Sequence, residues 1–449
     1  MRFKPPTMLR KRKVRNMVAA GTMLVAISGM ALAQSAPAHA DPTEQLVVVG
    51  SDTIQDVWNA FANTFGGNNV ASYNAINPAT GAINESITPT DGWAVTNNIV
   101  PDPLDAHPLP AGDCSFARPN GSGQGVAALR LANNAASANA GKAIAPKPGL
   151  GCVDIARSSS GVDVAGTNPA VDLQYVPFAV DAVTGSTGPS SCTPSTNCPA
   201  FTADLGNGST MAVTTVASTI AAGAASFTEP DLHNLYNCNT VTEGGVTYWP
   251  TGSPTAQPAG SQAIDLYQPQ PGSGTRSFWE GSTAISFPDA SPCVHDHIIG
   301  GALAPANDGG VSVPVEEHDG TAVSTDPIGY GPFSIAQYIS QQNPTHNPRV
   351  HGAVLQPIGG VSPFNTAGTP SSGLNTTTPF PILRYVYDVV KLSRLSAAGD
   401  PIGPLLSGTA SSVCRARGTI TSYGFALMTA SVLNGFTCGQ VATSLEAAP

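Results

Sequence analysis

Short apolar runs and polar, glycine-rich turns recur along this chain of 449 residues. The first run, at 46–50, has the pattern of a buried strand, and Val57, Trp58 and Phe61 after its turn share one helical face. Turns of the same kind occur within 118–129, 152–161 and 263–279. Strands that alternate with helices predict an α/β fold with ligands held at the C-terminal ends of the strands.

The four turns share hydrogen-bonding side chains, and three of them lie beside an arginine. Hydroxyl groups, the free N–H groups at a helix start and a guanidinium group together make a donor-rich pocket for an oxyanion. Each turn alone also occurs in ordinary surface loops, but four turns of one chemistry favour a binding site. The predicted ligand-binding residues are Ser51, Asp52, Thr53, Asn120, Gly121, Ser122, Arg157, Ser158, Ser159, Gly272, Ser273, Gly274, Thr275 and Arg276.

The first 40 residues differ from the rest of the chain. Seven Lys and Arg residues precede an apolar stretch at 17–33, and an A-x-A pattern of small residues ends at Ala40. This order predicts a secretory signal peptide at 1–40. No cysteine lies near the cleavage site, so we expect a secreted, extracytoplasmic protein without a lipid anchor.

Removal of the signal peptide changes the charge balance. The remaining chain has 12 Lys and Arg against 29 Asp and Glu, a net charge of −17. Such a protein repels nucleic acid and anionic membrane surfaces, so neither is expected as a partner. No later segment has the ~20 apolar residues of a membrane span. Two domains are expected, because single cores stop growing near ~250–300 residues.

All eight cysteines lie after the signal peptide. An even number in an exported chain predicts disulfides, and of the 105 possible pairings we predict those between sequence neighbours. The chain has no C-x2-C pair, so zinc binding is not expected. The predicted pairs are Cys114–Cys152, Cys192–Cys198, Cys238–Cys293 and Cys414–Cys438.

Four segments carry a family pattern: GSDTIQDVW at 50–58, RPNGSGQGVAAL at 118–129, DIARSSSG at 154–161 and QPGSGTRSFW at 270–279. Together they resemble the phosphate-binding protein of ABC transporters, within the type 2 periplasmic binding-protein superfamily. A secreted actinobacterial branch of that group is more similar still. Weaker similarity extends over 228–236, 316–321 and 328–339.

The resemblance implies two α/β lobes joined by two crossing segments. Lobe one would comprise 46–177 and 322–449, and lobe two 178–321. The crossings would fall near 176–183 and 325–330. The ligand would bind between the lobes, and closure of the hinge would trap it.

The resemblance also implies individual contacts to the anion. Thr53 and the N–H group of Ile54 would contact it from the first turn, Ser122 from the second and Ser158 from the third. Ser273, Gly274 and Thr275 would form the fourth part of the cradle.

The chain departs from the family at two positions. Ser159 stands where the phosphate-binding family has an aspartate. A carboxylate there can accept a hydrogen bond from the proton of hydrogen phosphate, and a fully deprotonated anion has no such proton. Pro269 stands where the family has an arginine. Because of these two departures, the identity of the bound anion stays open. The replacements expected are Arg118, Arg157 or Arg276 for the charge, and Asp52 or Asp319 for the acceptor.

These patterns predict an extracytoplasmic solute-binding protein that captures phosphate or a similar oxyanion and delivers it to an ABC-transporter permease. We expect a monomer without enzymatic activity, cofactor or metal. Two alternatives stay open, because fold alone does not define function. One is a secreted surface or adhesion protein that uses the fold as a scaffold. The other is a secreted hydrolase, although the chain has no G-x-S-x-G motif.

Two further groups of ionisable residues are interpreted as non-functional. His295 and His297 alternate along the chain, but a third metal ligand is not evident. Glu316, Glu317 and Asp319 are expected to form a solvated acidic loop, because carboxylates are seldom fully buried.

Overall fold

The computed structural model describes most of the chain from residue 46 onward. The predicted signal peptide and Cys114 lie outside the described residues. The described residues are 46–65, 70–76, 85–87, 115–133, 152–166, 168, 172–192, 198–206, 208–220, 225–282, 291–303, 312–365, 369–376, 380–429 and 435–448.

The strands are short except for two. In chain order they are β1 (Val47–Gly50), β2 (Ala71–Ser72), β3 (Ser86–Ile87), β4 (Phe116–Ala117), β5 (Ile155–Ser158), β6 (Leu173–Thr187), β7 (Ala200–Asp204), β8 (Thr210–Thr214), β9 (Val241–Glu243), β10 (Val246–Pro250), β11 (Gln262–Tyr267), β12 (Val294–His295), β13 (Gly329–Ser334), β14 (Val354–Leu355), β15 (Leu383–Lys391) and β16 (Glu446–Ala447).

The helices alternate with these strands. They are α1 (Gln55–Thr64), α2 (Ser122–Asn133), α3 (Glu229–Tyr236), α4 (Gly274–Ser282), α5 (Thr321–Thr325), α6 (Ile335–Ser340), α7 (Ile402–Leu406), α8 (Ser412–Arg415) and α9 (Arg417–Ser422). Short 3₁₀ turns are found at Asp52–Ile54, Gly301–Leu303, Pro370–Ser372, Leu392–Leu395 and Thr443–Leu445.

One mixed sheet organises the described residues. Its main strand order is β2-β1-β5-β15-β6-β13-β11-β10-β9; β12 pairs with β11, and β14 and β16 pair with β6. Strand β1 is parallel to β2 and β5, whereas β15 is antiparallel to both β5 and β6. Two separate two-stranded antiparallel sheets, β3–β4 and β7–β8, lie outside this sheet. The predicted α/β class is confirmed.

Strand β6 connects the two ends of the sheet. Its residues 173–182 pair with β15, and its residues 183–186 pair with β13. All 15 residues of β6 are buried, as expected for a strand covered on both faces. Strands β1, β2 and β5 therefore lie on one side of β6, and β9, β10, β11 and β13 lie on the other. The division into two lobes with a hinge stays a prediction.

The predicted apolar face of the first helix packs on the sheet. Val57, Trp58 and Phe61 of α1 are fully buried, and the Phe61 ring lies edge-on to Phe178 of β6 with 6.1 Å between ring centroids. The Trp58 indole N–H donates to Asp388 Oδ1 of β15 at 2.7 Å. Burial of each such side chain contributes about 2 kcal/mol, which fixes the start of α1 beside the end of β1.

Three of the four predicted disulfides are confirmed. Cα–Cα distances are 5.4 Å for Cys192–Cys198, 5.7 Å for Cys238–Cys293 and 5.8 Å for Cys414–Cys438. Cys152 is also disulfide-bonded, and its predicted partner Cys114 lies outside the described residues. No helix in the described part of the chain is both long and apolar enough to cross a membrane.

Candidate functional site

Ser159 lies at the centre of a buried group of hydroxyls, here called the hydroxyl cluster: Ser51, Thr53, Ser122, Ser159 and Thr275. The Ser159 hydroxyl is 3.1 Å from those of Ser51 and Thr53 and 3.2 Å from that of Ser122. The backbone N–H group of Ser159 donates to Ser122 Oγ at 2.9 Å. All five residues are fully buried.

The local fold explains why three turns meet here. Strands β1 and β5 are adjacent and parallel, with Gly50 opposite Arg157, so Ser51 and Ser159 leave the sheet at the same edge. Helix α2 begins at Ser122 beside them, and Gly50 and Asn120 form an isolated parallel bridge. Two strand ends and one helix start thus bring together hydroxyls from three separate segments.

The fourth turn closes over the other three. Thr275 Oγ1 lies 3.5 Å from Thr53 Oγ1, and the N–H group of Gly123 donates to Gly272 O at 3.1 Å. A Cβ atom on Gly274 would overlap the hydroxyls of Ser122 and Ser159, so only glycine fits there. Ser273 Oγ caps α4 by accepting from Arg276 N at 2.9 Å. The structure therefore brings all four predicted turns together.

Arg384 supplies a positive charge that sequence reasoning missed. Its Nη2 atom donates to Thr275 Oγ1 at 3.0 Å, and its Nη1 atom donates to Ser159 O at 3.2 Å. It also forms an ion pair with Asp181, and both side chains are at most 1% exposed. In the sequence, Arg384 is visible as a charged residue within the apolar run of β15. The sequence gives no indication of where in the fold that strand lies.

Glu317 and His318 reach the same cluster from the loop before α5. Glu317 Oε1 accepts from the Thr275 N–H group at 3.2 Å, and Glu317 Oε2 accepts from Thr53 Oγ1 at 3.2 Å. His318 Nε2 lies 2.7 Å from Thr53 Oγ1 and 3.3 Å from Asp52 Oδ1. Glu317 is only 1% exposed, so the interpretation of a solvated acidic loop is wrong for this residue. Donors at the start of α4 compensate for its burial.

Burial and mutual charge shift the acid–base behaviour of this group. Burial, together with the neighbouring Glu317, raises the pKa of Asp52 to about 7. Burial also opposes ionisation of Glu317, but its interactions with Asp52 and His318 outweigh this and lower its pKa. Burial alone would lower the pKa of His318, whereas the adjacent carboxylates raise it to about 9.

Three arginines were predicted to replace the positive charge that the phosphate-binding family has at the position of Pro269. All three make other contacts. Arg157 donates to Ser72 Oγ at 2.8 Å and to Tyr73 O at 2.6 Å, and burial lowers its pKa to about 9. Arg276 pairs with Glu280 and Asp296 at 3.0 and 3.1 Å. Arg118 Nη1 donates to the backbone carbonyl of Asn74 at 2.8 Å.

The remaining predicted residues line the cluster or support it. Ile54 is fully buried at the start of α1, and Gly121 and Gly272 adopt positive φ angles of 119° and 92°. Asn120 Nδ2 lies 3.4 Å from Glu316 Oε2. The Ser158 hydroxyl donates to Ser160 O at 2.8 Å and lies 3.3 Å from Ser160 Oγ, which is not part of the hydroxyl cluster.

Asp319, one predicted acceptor, is held by its own loop. Its Oδ1 atom accepts from the Thr321 N–H group at 2.8 Å, and its Oδ2 atom lies 3.7 Å from His351 Nε2. Asp52, the other predicted acceptor, adjoins the hydroxyl cluster through His318. Of the two, Asp52 is the one whose carboxylate lies beside His318, with 3.3 Å between Oδ1 and Nε2.

Comparison with known proteins gives weak similarity only. No protein-family profile and no curated protein matches this chain. Among solved structures, it is similar to an ABC-type phosphate transport receptor from Vibrio cholerae, with 12% identity, a TM-score of 0.40 and coverage of 86% of this chain and 100% of that chain.

Two further structures give similar values. A putative phosphate ABC transporter substrate-binding protein with bound phosphate from Clostridium perfringens has 11% identity, the same coverage and a TM-score of 0.40. A possible phosphate-binding protein from Planctomyces limnophilus has 14% identity, coverage of 88% and 95%, and a TM-score of 0.31. Scores this low say nothing about the ligand, so function rests on the site's own residues.

Proposed function

We propose that this chain is an extracytoplasmic solute-binding protein that holds phosphate or a similar oxyanion in the hydroxyl cluster. The observation that carries the proposal is the convergence of three buried hydroxyls on Ser159, from segments more than 100 residues apart in two cases. Arg384 adds a guanidinium group at 3.0 Å from Thr275 Oγ1. Such donors stabilise a buried anion without a large basic patch.

The contacts of the Glu317 carboxylate support the proposal that the cluster's donors bind an anion. Glu317 accepts from the Thr275 N–H group and from the Thr53 hydroxyl, each at 3.2 Å. These donors therefore already suit a carboxylate oxygen, and an oxyanion that entered the cluster would take over the same contacts. Entry requires the turn at 272–275 to move away from Ser122 and Ser159, and the predicted hinge through β6 would allow this.

The adjacent carboxylates bear on which oxyanion is preferred. Ionised Asp or Glu only accepts hydrogen bonds, so it favours an anion that still carries a proton. Hydrogen phosphate carries one at neutral pH, whereas sulfate carries none. We therefore propose phosphate over sulfate, with Glu317 or Asp52 as the acceptor in place of the family's aspartate. Export and delivery to an ABC-transporter permease belong to the same proposal.

The geometry does not favour a hydrolase. His318 meets Thr53 Oγ1 and both neighbouring carboxylates through the same ring atom, Nε2. A hydroxyl nucleophile activated by histidine needs the carboxylate on the opposite ring nitrogen, where it orients the base. Thr53 and His318 thus do not form a relay of that kind.

Titration calorimetry on the purified protein tests the proposal, with phosphate, arsenate, sulfate and nitrate as ligands. The expected result is saturable binding of one phosphate per chain and a rise in melting temperature, with weaker binding of sulfate. Absence of heat and of any melting shift with all four anions would refute it.

A further inference from the structure

Three potential metal ligands meet beside the hydroxyl cluster. One ligand atom each from Asp52, Glu317 and His318 lies within 4.8 Å of the others, and all three residues are at most 2% exposed. His318 Nε2 is 3.3 Å from Asp52 Oδ1 and 3.2 Å from Glu317 Oε2. In the part of the chain that the structure describes, no other group of this kind is present.

The separations match those around a metal ion. Ligand nitrogen and oxygen atoms bind Zn²⁺ at roughly 2.0–2.2 Å, so neighbouring ligand atoms lie about 3.0 Å apart in octahedral and about 3.4 Å apart in tetrahedral coordination. Both measured separations from His318 Nε2 fall in that range.

Asp52 provides an independent indication of a ligand. Neither of its carboxylate oxygens accepts a hydrogen bond, although the residue is 1% exposed. Its nearest cationic groups are His318 Nε2 at 3.3 Å and Arg349 Nη1 at 3.7 Å. Buried polar atoms almost always have a hydrogen-bond partner, so a buried carboxylate whose oxygens make only these longer ion-pair contacts can take a further ligand.

We propose that Asp52, Glu317 and His318 bind a divalent transition-metal ion. Two carboxylate oxygens and one imidazole nitrogen suit Zn²⁺ or Mn²⁺, whereas Mg²⁺ and Ca²⁺ prefer oxygen alone. The ion would lie next to Thr53, whose Oγ1 is 2.7 Å from His318 Nε2 and 3.1 Å from Ser159 Oγ. The metal ion would then lie beside the bound oxyanion, and metal and oxyanion would each strengthen binding of the other. Only this coupling rests on the proposed function.

Calorimetry of the metal-stripped protein in a phosphate-free buffer tests the metal site, with ZnCl₂, MnCl₂ and MgCl₂ as titrants. Wild type is expected to bind one Zn²⁺ or Mn²⁺ per chain, more tightly than Mg²⁺. Asp52→Asn and His318→Gln should each weaken that binding by at least about tenfold, since even indirect partners of a metal contribute this much.

Asp400→Asn is the matched control, because Asp400 pairs with Arg394 at 2.8 Å and is not one of the three ligands. Its metal affinity should stay within about threefold of wild type, and circular dichroism checks that each variant is folded. Absence of saturable Zn²⁺ or Mn²⁺ binding to wild type overturns the inference, as does wild-type affinity in folded Asp52→Asn and His318→Gln. Metal binding without phosphate binding would support the metal site and refute only the proposed function.

Discussion

Arg384 and Asp181 form a buried ion pair across strands β15 and β6, with 2.7 Å between Nη2 and Oδ2. Asp181 is itself held by Ser334 Oγ at 2.9 Å and by the N–H group of Ala336 at 3.0 Å. The guanidinium group is thereby fixed where it reaches Thr275 and Ser159. One charge is thus positioned at the hydroxyl cluster by residues from three strands and a helix start.

Substitution of Arg384 should weaken anion binding. Lysine keeps the charge but cannot make the forked contacts, so Arg384→Lys is expected to lower phosphate affinity by about tenfold or more. Arg384→Gln should lower it further, and should destabilise the fold by about 3 kcal/mol because Asp181 loses its buried partner. Calorimetry and denaturant unfolding measure the two effects. Arg394→Lys is the control, since Arg394 pairs with Asp154 and Asp400 instead; equal losses in both lysine variants would contradict the assignment.

Two glycines of α4 should respond in opposite ways to alanine. A Cβ atom on Gly274 would overlap the hydroxyls of Ser122 and Ser159, whereas nothing lies within 4 Å of one on Gly281. Gly274→Ala is therefore expected to destabilise the protein by about 1–3 kcal/mol and to reduce phosphate binding. Gly281→Ala should stabilise it by about 0.5–1 kcal/mol. Urea unfolding decides this, and a tolerated Gly274→Ala would show that the turns are not tightly closed.

The disulfides should differ in their contribution to stability. Cys238 and Cys293 are 55 residues apart in sequence, and Cys192 and Cys198 only six. Loop-closure entropy gives about 4 kcal/mol for the longer loop and about 2 kcal/mol for the shorter. Paired Cys→Ala variants should therefore lower the free energy of unfolding more at 238 and 293. A larger loss at 192 and 198 would mean that native-state contacts, not the length of the loop, determine the effect.

Asp326 should make stability depend on pH. Burial and the neighbouring Asp265 raise the pKa of Asp326 from 3.8 to about 7. Between these values the folded protein holds a proton that the unfolded chain has released, so stability falls as pH rises from about 4 to about 7. Asp326→Asn removes this contribution, and the free energy of unfolding of wild type relative to that of the variant should decline by about 3–4 kcal/mol across that range. Parallel pH profiles of the two proteins would rule out the shift.

The sequence was informative where the signal is local. Ser51, Ser122, Ser159 and Thr275 follow strand ends or begin helices, and such strand–turn–helix patterns occupy only a few consecutive residues. Three disulfides were predictable for a related reason, because each joins two cysteines that follow one another in the order of cysteines along the chain.

The charged part of the site could not be predicted, because it depends on tertiary contacts between distant segments. His318 is 265 residues from Thr53, and Arg384 is 225 residues from Ser159. Glu317 has the sequence pattern of a solvated acidic residue, but it is buried beside Thr53 and the start of α4. Arg157 and Arg276 stood beside the right turns, but carbonyl groups and other carboxylates engage their guanidinium groups.

The most direct test of the hydroxyl cluster compares two adjacent serines. Ser159 Oγ contacts three cluster hydroxyls, whereas Ser158 Oγ donates to Ser160 O and contacts none of them. Phosphate calorimetry on Ser159→Ala and Ser158→Ala should show a loss of affinity of about tenfold or more for the first and less than about threefold for the second. Equal affinities in the two variants would place the anion elsewhere and contradict the account.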